Sequence, residues 1–186
     1  MTESLSWVAE RLCRMPDAKP RKAAIVKPTP CLYRRNPLLL SAYCSMPMKF
    51  PYRFIPGAHG VTPRPIIPIQ MGLTEQSATR GYLALIDSGA DICLFSPEVA
   101  LEIGIKDVTK GPKSSVSGVV AGAKSDYYMH RVVIKIGGWP FAMDVAFMPD
   151  FTRLGYGILG EKGFFENFIV KLNLRKTEIE LKRHDS

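Results

Sequence analysis

The sequence predicts a mainly β domain with one or two short helices, and three observations lead to this prediction. From residue 64 onward, apolar residues alternate with polar ones in several short runs, which is the period of a half-buried strand. Glycine and proline residues separate these runs, as they do in the turns between strands. One segment, residues 96–104, carries the start and stop signals of a helix.

The first predicted elements lie between residues 66 and 104. Residues 66–71 form an apolar strand that ends at a glycine, and the polar connector 73–79 leads to a second strand over 82–86. Ser96 and Pro97 suit the N-cap and the first turn of a helix, which Gly104 ends. These elements enclose the most informative part of the chain.

The later elements repeat the strand pattern. Residues 131–136 and 141–147 alternate on either side of Gly137-Gly138, which predicts a hairpin with a tight reversal. Residues 168–174 continue the same period, and two further apolar residues follow near the end of the chain. A mainly β chain is therefore expected from residue 64 to the C-terminal region.

Residues 84–94 contain the strongest candidate for chemistry. Their sequence is Ala-Leu-Ile-Asp-Ser-Gly-Ala-Asp-Ile-Cys-Leu, so an apolar strand delivers the carboxylate of Asp87 into a Ser-Gly-Ala turn. We expect Leu85 and Ile86 to bury the strand that fixes Asp87. We expect Gly89 to adopt backbone angles closed to other residues and to let a substrate approach closely. Because Asp, Ser and Gly also form ordinary turns, the surrounding sequence decides between these interpretations.

This turn resembles the active-site turn of the retropepsin-like aspartic proteases, the family of the retroviral proteases and their cellular and bacterial relatives. In this chain the motif is completed by Asp87, Ser88, Gly89 and Ala90. The resemblance implies a closed β-barrel of the retropepsin-like acid protease fold and an aspartic endopeptidase that needs no metal or other cofactor. It also implies that the hydroxyl of Ser88, where threonine is commoner, bonds to the facing turn.

A second family motif, two hydrophobic residues and a glycine, is matched by Ile158-Leu159-Gly160. The resemblance implies that Ile158 and Leu159 support the Asp87 turn and that Gly160 allows the strands to cross. The residues that follow, 161–168, resemble a short helix of bacterial and cellular members.

The chemistry of such a site requires two carboxylates that share one proton. Only one Asp-Ser-Gly turn occurs in the 186 residues. The second Asp87 must therefore come from another copy across a two-fold axis. This predicts a homodimer that acts on a polypeptide substrate.

The resemblance also assigns a flap, the hairpin that closes over bound peptide. Residues 114–123 lie in the matching position, and an ordinary surface hairpin is the alternative. The tip of the predicted flap comprises Gly118, Val119, Val120, Ala121 and Gly122.

Retroviral members pair an arginine before the first strand with an aspartate two residues past the catalytic glycine, across the dimer and beside the cleft. The matching residues here are Arg64 and Asp91. The alternative is an isolated surface ion pair, which contributes about 0 to 1 kcal/mol.

Residues 1–47 differ in composition from the rest. They hold eight Lys/Arg against three Asp/Glu, within a net charge of +8, and six prolines. We expect either a poorly structured tail or a misassigned start, followed by a protease-like domain over 48–186. No zinc-knuckle spacing, RNP-like strand or basic helix accompanies the charge, so a nucleic-acid partner is not expected.

Cysteine, histidine and hydropathy patterns predict further absences. The four cysteines fit neither a disulfide framework nor a zinc site, which favours reduced thiols in a cytoplasmic protein. The three histidines have no partner at metal-ligand or triad spacing, and no apolar stretch is long enough to predict a membrane span.

Three functions follow from these patterns. The first is an active homodimeric aspartic endopeptidase, which the intact Asp-Ser-Gly turn favours. The second is a peptide-binding or dimerisation module of the same fold with little or no catalysis. The third is a nucleic-acid-binding tail for which the β domain serves as dimeriser.

Overall fold

A computed structural model describes residues 47–57, 60–117, 124–151 and 155–184. Its strands are β1 (Met48–Pro51), β2 (Arg53–Gly57), β3 (Gly60–Arg64), β4 (Ile66–Gly72), β5 (Arg80–Ile86), β6 (Leu94–Phe95), β7 (Lys113–Ser117), β8 (Lys124–Ile136), β9 (Trp139–Phe147), β10 (Gly157–Leu159), β11 (Phe168–Asn173) and β12 (Glu178–Arg183). The helical segments among the described residues are the α-helix α1 (Pro97–Glu102) and the 3-10 turns Val108–Lys110 and Leu174–Lys176.

Six of these strands close a barrel. Their order is β4, β5, β10, β6, β9 and β8, and β8 pairs back with β4. The pairs β5–β10 and β6–β9 are parallel and the other pairs are antiparallel. This closed, mainly β architecture confirms the predicted fold class of a retropepsin-like barrel with few helices.

Alternate apolar side chains of the barrel strands form the core. In β4, Ile67, Ile69 and Met71 are buried while Pro68 and Gln70 are exposed, as the period of a strand requires. The predicted reversal between β8 and β9 is also found. Gly137 and Gly138 have φ of 58° and 92°, in the left-handed region that glycine accepts.

Helix α1 begins and ends where the sequence signals predict. Ser96 is the N-cap, although its side chain makes no capping hydrogen bond, and Pro97 is in the first turn. Gly104, with φ 103°, follows the C-cap. The hydrogen bond from Ser96 lowers the pKa of the Glu98 carboxyl, so the acid in the first turn bonds back to the N-cap residue.

Two small sheets lie outside the barrel. Strands β11 and β12 agree with the strand pattern predicted from residue 168 onward, whereas β1, β2 and β3 were not predicted. β12 pairs with β1 on one side and with β11 on the other. β2 and β3 pair with each other in a separate hairpin. Pro56 and Pro63 lie in this hairpin. Because proline within a sheet is found mainly in edge strands and at strand ends, these two residues did not suggest strands in the sequence.

The segment after Gly160 is not the short helix that the resemblance implied. Residues 161–167 form consecutive turns, and Gly163 has φ 92°, which a right-handed helix excludes. The N–H of Gly163 donates to Glu166 Oε2 at 2.8 Å, and the side-chain amide of Asn167 donates to the Gly163 carbonyl. Side chains therefore satisfy backbone groups that a helix would pair internally.

Several predicted features lie outside the described residues: the N-terminal tail up to residue 46 and the flap tip, residues 118–123. Among the residues that are described, no helix combines the length and apolar character needed to cross a bilayer.

Candidate active site

Asp87 follows the last residue of β5 and is held between two neighbouring strands. Its backbone N–H donates to the carbonyl of Leu159 in β10 at 3.0 Å. On the other side, the N–H of Ile86 donates to the carbonyl of Pro65, just before β4, at 2.9 Å. The position of Asp87 is therefore fixed by barrel pairing and does not depend on a long loop.

The turn after Asp87 orients the carboxylate. The N–H of Gly89 donates to Asp87 Oδ1 at 2.9 Å, and the N–H of Ala90 approaches the Asp87 carbonyl at 3.3 Å. Asp87 is half-buried, whereas Ser88 and Gly89 are exposed. Within the described part of the chain, no hydrogen bond reaches Oδ2, so one carboxylate oxygen is held by the turn and the other is not.

The reason for a glycine at position 89 differs from the prediction. Among the described glycines, those with a left-handed φ do not include Gly89, so special backbone angles do not explain it. A Cβ at this position would lie 3.2 Å from Asp87 Oδ1, closer than most such contacts. Glycine therefore makes room for the hydrogen-bonded carboxylate.

Gly160 lies where the segment after the Asp87 turn, residues 90–92, crosses the end of β10. A Cβ on Gly160 would collide with the carbonyl oxygens of Ala90 and Ile92. Backbone bonds hold this crossing, because Glu161 N–H donates to the Ala90 carbonyl at 2.8 Å and Lys162 N–H to the Asp91 carbonyl at 3.0 Å. The two motifs identified in the sequence are thus in direct backbone contact.

The side chains beside Asp87 divide between the two faces of the sheet. Ile86 and Leu159 are buried, at 4% and 0% exposure, and pack beneath the turn. Leu85 is paired with Ile158, and Ile158 with Leu94, and all three are half-buried. The prediction that Leu85 helps to bury the strand is therefore wrong.

Leu85 lies two residues before Asp87 in the chain, so its side chain lies on the same face of β5 as the Asp87 side chain. Its cross-strand partner Ile158 shares that face. The sheet thus presents an apolar surface beside the carboxylate. The sequence analysis predicted that Ile158 supports the turn but not that it shares a face with Asp87. The three residues of β10 are too few to show which face each side chain occupies.

Arg64 and Asp91 do not form an ion pair within one copy. Both are exposed, and neither takes part in any ion pair with another described residue. Arg64 comes directly before Pro65, whose carbonyl accepts the N–H of Ile86, and Asp91 comes directly after the Asp87 turn. Neither charged group has an ion-pair partner among the described residues.

The strands of the predicted flap are present. β7 pairs with β8 from Lys113–Tyr128 to Ser117–Lys124, and Lys113 Nζ lies 2.7 Å from Asp126 Oδ2. Because the tip lies outside the described residues, the flap role of Gly118–Gly122 stays a prediction.

Cys93 and His130 have packing roles in this structure. Cys93 is fully buried, and burial raises the pKa of its thiol to about 11. Its Sγ donates to the Lys162 carbonyl at 3.4 Å. His130 Nε2 lies 2.8 Å from the Val108 carbonyl, and its ring meets the ring of Phe147. The described residues contain no cluster of three potential metal ligands.

A groove of about 200 Å³ lies between β5, α1 and the start of β10. On its wall, Tyr82 Oη donates to Glu102 Oε2 at 2.9 Å, and Arg80 Nη1 lies 3.3 Å from the same oxygen. Burial and this hydrogen bond raise the pKa of Tyr82 to about 12. No sequence pattern predicts the groove, because its lining residues are far apart in the chain.

Comparison with known proteins gives one family and one fold. Residues 79–162 match the family model described as aspartyl protease, and no curated protein matches the chain. The crystal structure of a retropepsin-like aspartic protease from Rickettsia conorii matches with a TM-score of 0.50 and 15% identity, over 73% of this chain and 98% of that one. At this identity the similarity shows the fold alone.

Two further solved structures match less well. The retroviral protease-like domain of Ddi1 from Leishmania major has a TM-score of 0.45 and 13% identity, over 66% of this chain and 94% of that one. The EIAV protease in complex with the inhibitor HBY-793 has a TM-score of 0.37 and 19% identity, over 53% of this chain and 82% of that one.

Proposed function

Because residues 79–162 match the aspartyl protease family model, we propose that this chain is an aspartic endopeptidase whose catalytic pair consists of Asp87 from each of two copies. The observation that carries the proposal is the fixed position of Asp87: barrel pairing holds its backbone, and the N–H of Gly89 holds Oδ1. A carboxylate so placed at an exposed turn, and present once per chain, is half of a two-carboxylate site.

The mechanism follows from one proton shared by two carboxyl groups. The ionised Asp87 takes a proton from water, and the water oxygen attacks the scissile carbonyl carbon. The protonated Asp87 of the partner subunit donates a hydrogen bond to the carbonyl oxygen, which becomes the oxygen of a tetrahedral intermediate. The carbon–nitrogen bond then breaks, the leaving amine takes a proton, and the pair returns to its singly protonated state.

The residues around the turn have supporting roles in this proposal. Ser88 hydrogen-bonds to the facing turn and keeps the two carboxyl groups in one plane. Leu85 and Ile158, half-buried on the Asp87 face, provide an apolar wall for substrate side chains. The hairpin of β7 and β8 covers the bound peptide.

The choice of peptide bonds as substrate rests on the family and on the shape of the site. The Rickettsia conorii protein of the same fold is an aspartic protease. Among the described strands, β7 pairs with β8 on one side alone, and an extended peptide can add as a strand to such an edge and place alternate side chains in pockets.

The test is mass spectrometry of fragments from an unbiased peptide mixture. The parent chain is expected to cleave internal peptide bonds, and Asp87→Asn to lose this activity by on the order of a thousandfold or more. Asp144→Asn is the matched control, because Asp144 is an exposed aspartate paired with Arg131 on the barrel surface. Residual cleavage by Asp87→Asn within about tenfold of the parent would contradict the mechanism.

The same experiment separates the alternative function. A peptide-binding module of this fold would retain peptides on both the parent and Asp87→Asn, with no new fragments from either. Binding is measured in parallel with a fluorescent peptide pool, so that the absence of cleavage and the absence of binding give different results.

A further inference from the structure

The hairpin of β2 and β3, residues 53–57 and 60–64, has an apolar face that is largely exposed in the described part of one copy. The hairpin pairs only with itself and belongs to neither larger sheet. The pairs Phe54–Pro63 and Pro56–Val61 lie on one face, since residues two apart in a strand share a face. Phe54 and Val61 are 59% and 63% exposed.

A two-stranded hairpin in water is marginally stable by itself, and this one also carries an unfavourable charge pair. Arg53 lies directly opposite Arg64, and like charges in this position destabilise a hairpin. Neither arginine has an ion-pair partner among the described residues. Both the apolar face and the two charges would be stabilised by a partner.

The position of the hairpin indicates which partner this is. Its second strand ends at Arg64, one residue before Pro65, whose carbonyl bonds to the N–H of Ile86 beside Asp87. The hairpin therefore begins about one strand spacing, roughly 5 Å, from the turn where a second copy must dock. Each strand of five residues extends about 17 Å from there, far enough to reach over a neighbouring subunit.

We infer that strands β2 and β3 form a dimerisation arm, whose apolar face packs against the second copy of the chain beside the paired Asp87 turns. This inference rests on the proposed function, which supplies the two-fold contact at Asp87. The contact uses the side-chain face rather than the strand edge, because Pro56 and Pro63 lack the N–H groups that strand addition requires.

The experiment measures dimerisation by sedimentation of the full chain carrying Asp87→Asn, so that self-cleavage does not interfere. In this background, Phe54→Ser combined with Val61→Ser is expected to raise the dimer dissociation constant on the order of tenfold or more. Leu101→Ser is the matched control, because Leu101 is 64% exposed on α1. It should change the constant by no more than about twofold.

A second measurement needs no change in the hairpin. Hydrogen exchange of the Asp87→Asn chain at rising protein concentration should slow at the backbone amides of β2 and β3 as the dimer forms. Helix α1, which carries the control residue Leu101, serves as the internal reference and should show no such dependence.

The outcomes separate this inference from the proposed function. If the hairpin substitutions do not change the dimer dissociation constant, and exchange at the hairpin amides does not depend on protein concentration, the dimerisation arm is excluded. The proposed protease function is then unaffected. Normal dimerisation of the hairpin variant with a raised KM, tested with Asp87 intact, also overturns the dimerisation arm, because the hairpin would then contact substrate. A chain that stays monomeric and cleaves no peptide overturns the proposed function itself.

Discussion

The backbone N–H of Asp87 donates to the carbonyl of Leu159 at 3.0 Å, and this bond joins the two sequence motifs in one structural unit. Leu159 is fully buried, so the Ile158-Leu159-Gly160 motif supports the Asp87 turn from the core side. The residue after Leu159, Gly160, lets the chain beyond the turn cross at backbone distance. Support for the turn therefore comes from a segment that is distant in sequence.

Gly160→Ala should destabilise the protein and distort the turn. The new Cβ would collide with the Ala90 and Ile92 carbonyl oxygens, and such overpacking costs about 1–3 kcal/mol. Gly81→Ala is the control, because a Cβ there would meet the Ile69 carbonyl at 4.0 Å, which is ordinary contact. Urea unfolding measures both variants. Equal stability of Gly160→Ala and the parent would show that the crossing can open at little cost.

Peptide cleavage should be fastest at mildly acidic pH. The pair of Asp87 carboxyl groups needs one proton in total, because one group acts as base and the other as acid. Alkaline pH removes the shared proton, and strongly acidic pH protonates both groups. The pH profile of kcat/KM is the measurement. A rate that climbs steadily into the alkaline range would be inconsistent with a shared proton.

Activity per molecule should fall on dilution, because neither copy owns a complete site. Mass action converts dimer to monomer as the concentration drops below the dissociation constant. Initial rates over a dilution series are compared with sedimentation at the same concentrations. A monomeric species that retains full activity would exclude the two-copy site.

The sequence predicted those elements whose signals are local. Ser96, Pro97 and Gly104 mark α1 because capping preferences act within a few residues, and Gly137-Gly138 marks the β8–β9 reversal for the same reason. The Asp87 turn was found because its motif is contiguous. Apolar and polar residues also alternate over several consecutive positions in β8 and β9, and such alternation predicts a strand.

Other features were missed or wrong, because neither a periodicity nor a contiguous motif marks them in the sequence. The three residues of β10 are too short to show a period, so the exposed side of Ile158 did not emerge from the pattern. The need for glycine at position 89 comes from the carboxylate of Asp87, two residues earlier, which a Cβ would approach closely. The predicted helix after Gly160 failed because Gly163 adopts φ 92° and Glu166 and Asn167 satisfy its backbone.

The stability of the fold should decline between pH 9 and about pH 11 because of Cys93. Burial raises the pKa of this thiol from 9.0 to about 11, so the neutral thiol is favoured in the folded state. The contribution of the neutral Cys93 thiol to the free energy of unfolding is fully present below pH 9 and is lost as the pH rises through about 11. The loss amounts to about 1 kcal/mol at pH 10 and about 2–3 kcal/mol when complete.

Urea unfolding at several pH values tests this contribution. Cys93→Ala should be less stable at neutral pH, because the buried site loses packing, but its stability should decline less between pH 8 and pH 10. Tyr82→Phe is the control, since the pKa of Tyr82 is raised to about 12 from 10.0 and its own effect begins above pH 10. An unchanged slope for Cys93→Ala would show that the thiol does not titrate with unfolding.

Arg64 and Asp91 should form an ion pair across the dimer, beside the substrate. Both are exposed and unpaired among the described residues of one copy, and they come directly before Pro65 and directly after the Asp87 turn, respectively. A partly buried pair at a subunit boundary contributes more than a surface pair, because removal of one partner leaves the other charge buried alone. Arg64→Ala and Asp91→Ala should each weaken dimerisation and peptide binding.

The double-mutant cycle on the dimer dissociation constant decides whether these two residues meet. If they do, the double variant should be little worse than either single variant. The cis pair Arg131–Asp144, 3.2 Å apart on the exposed surface of β8 and β9, is the matched control, and its cycle should leave dimerisation unchanged. Fully additive losses at Arg64 and Asp91 would show that each acts alone, because only a direct contact makes the second substitution nearly free once the first has removed the pair.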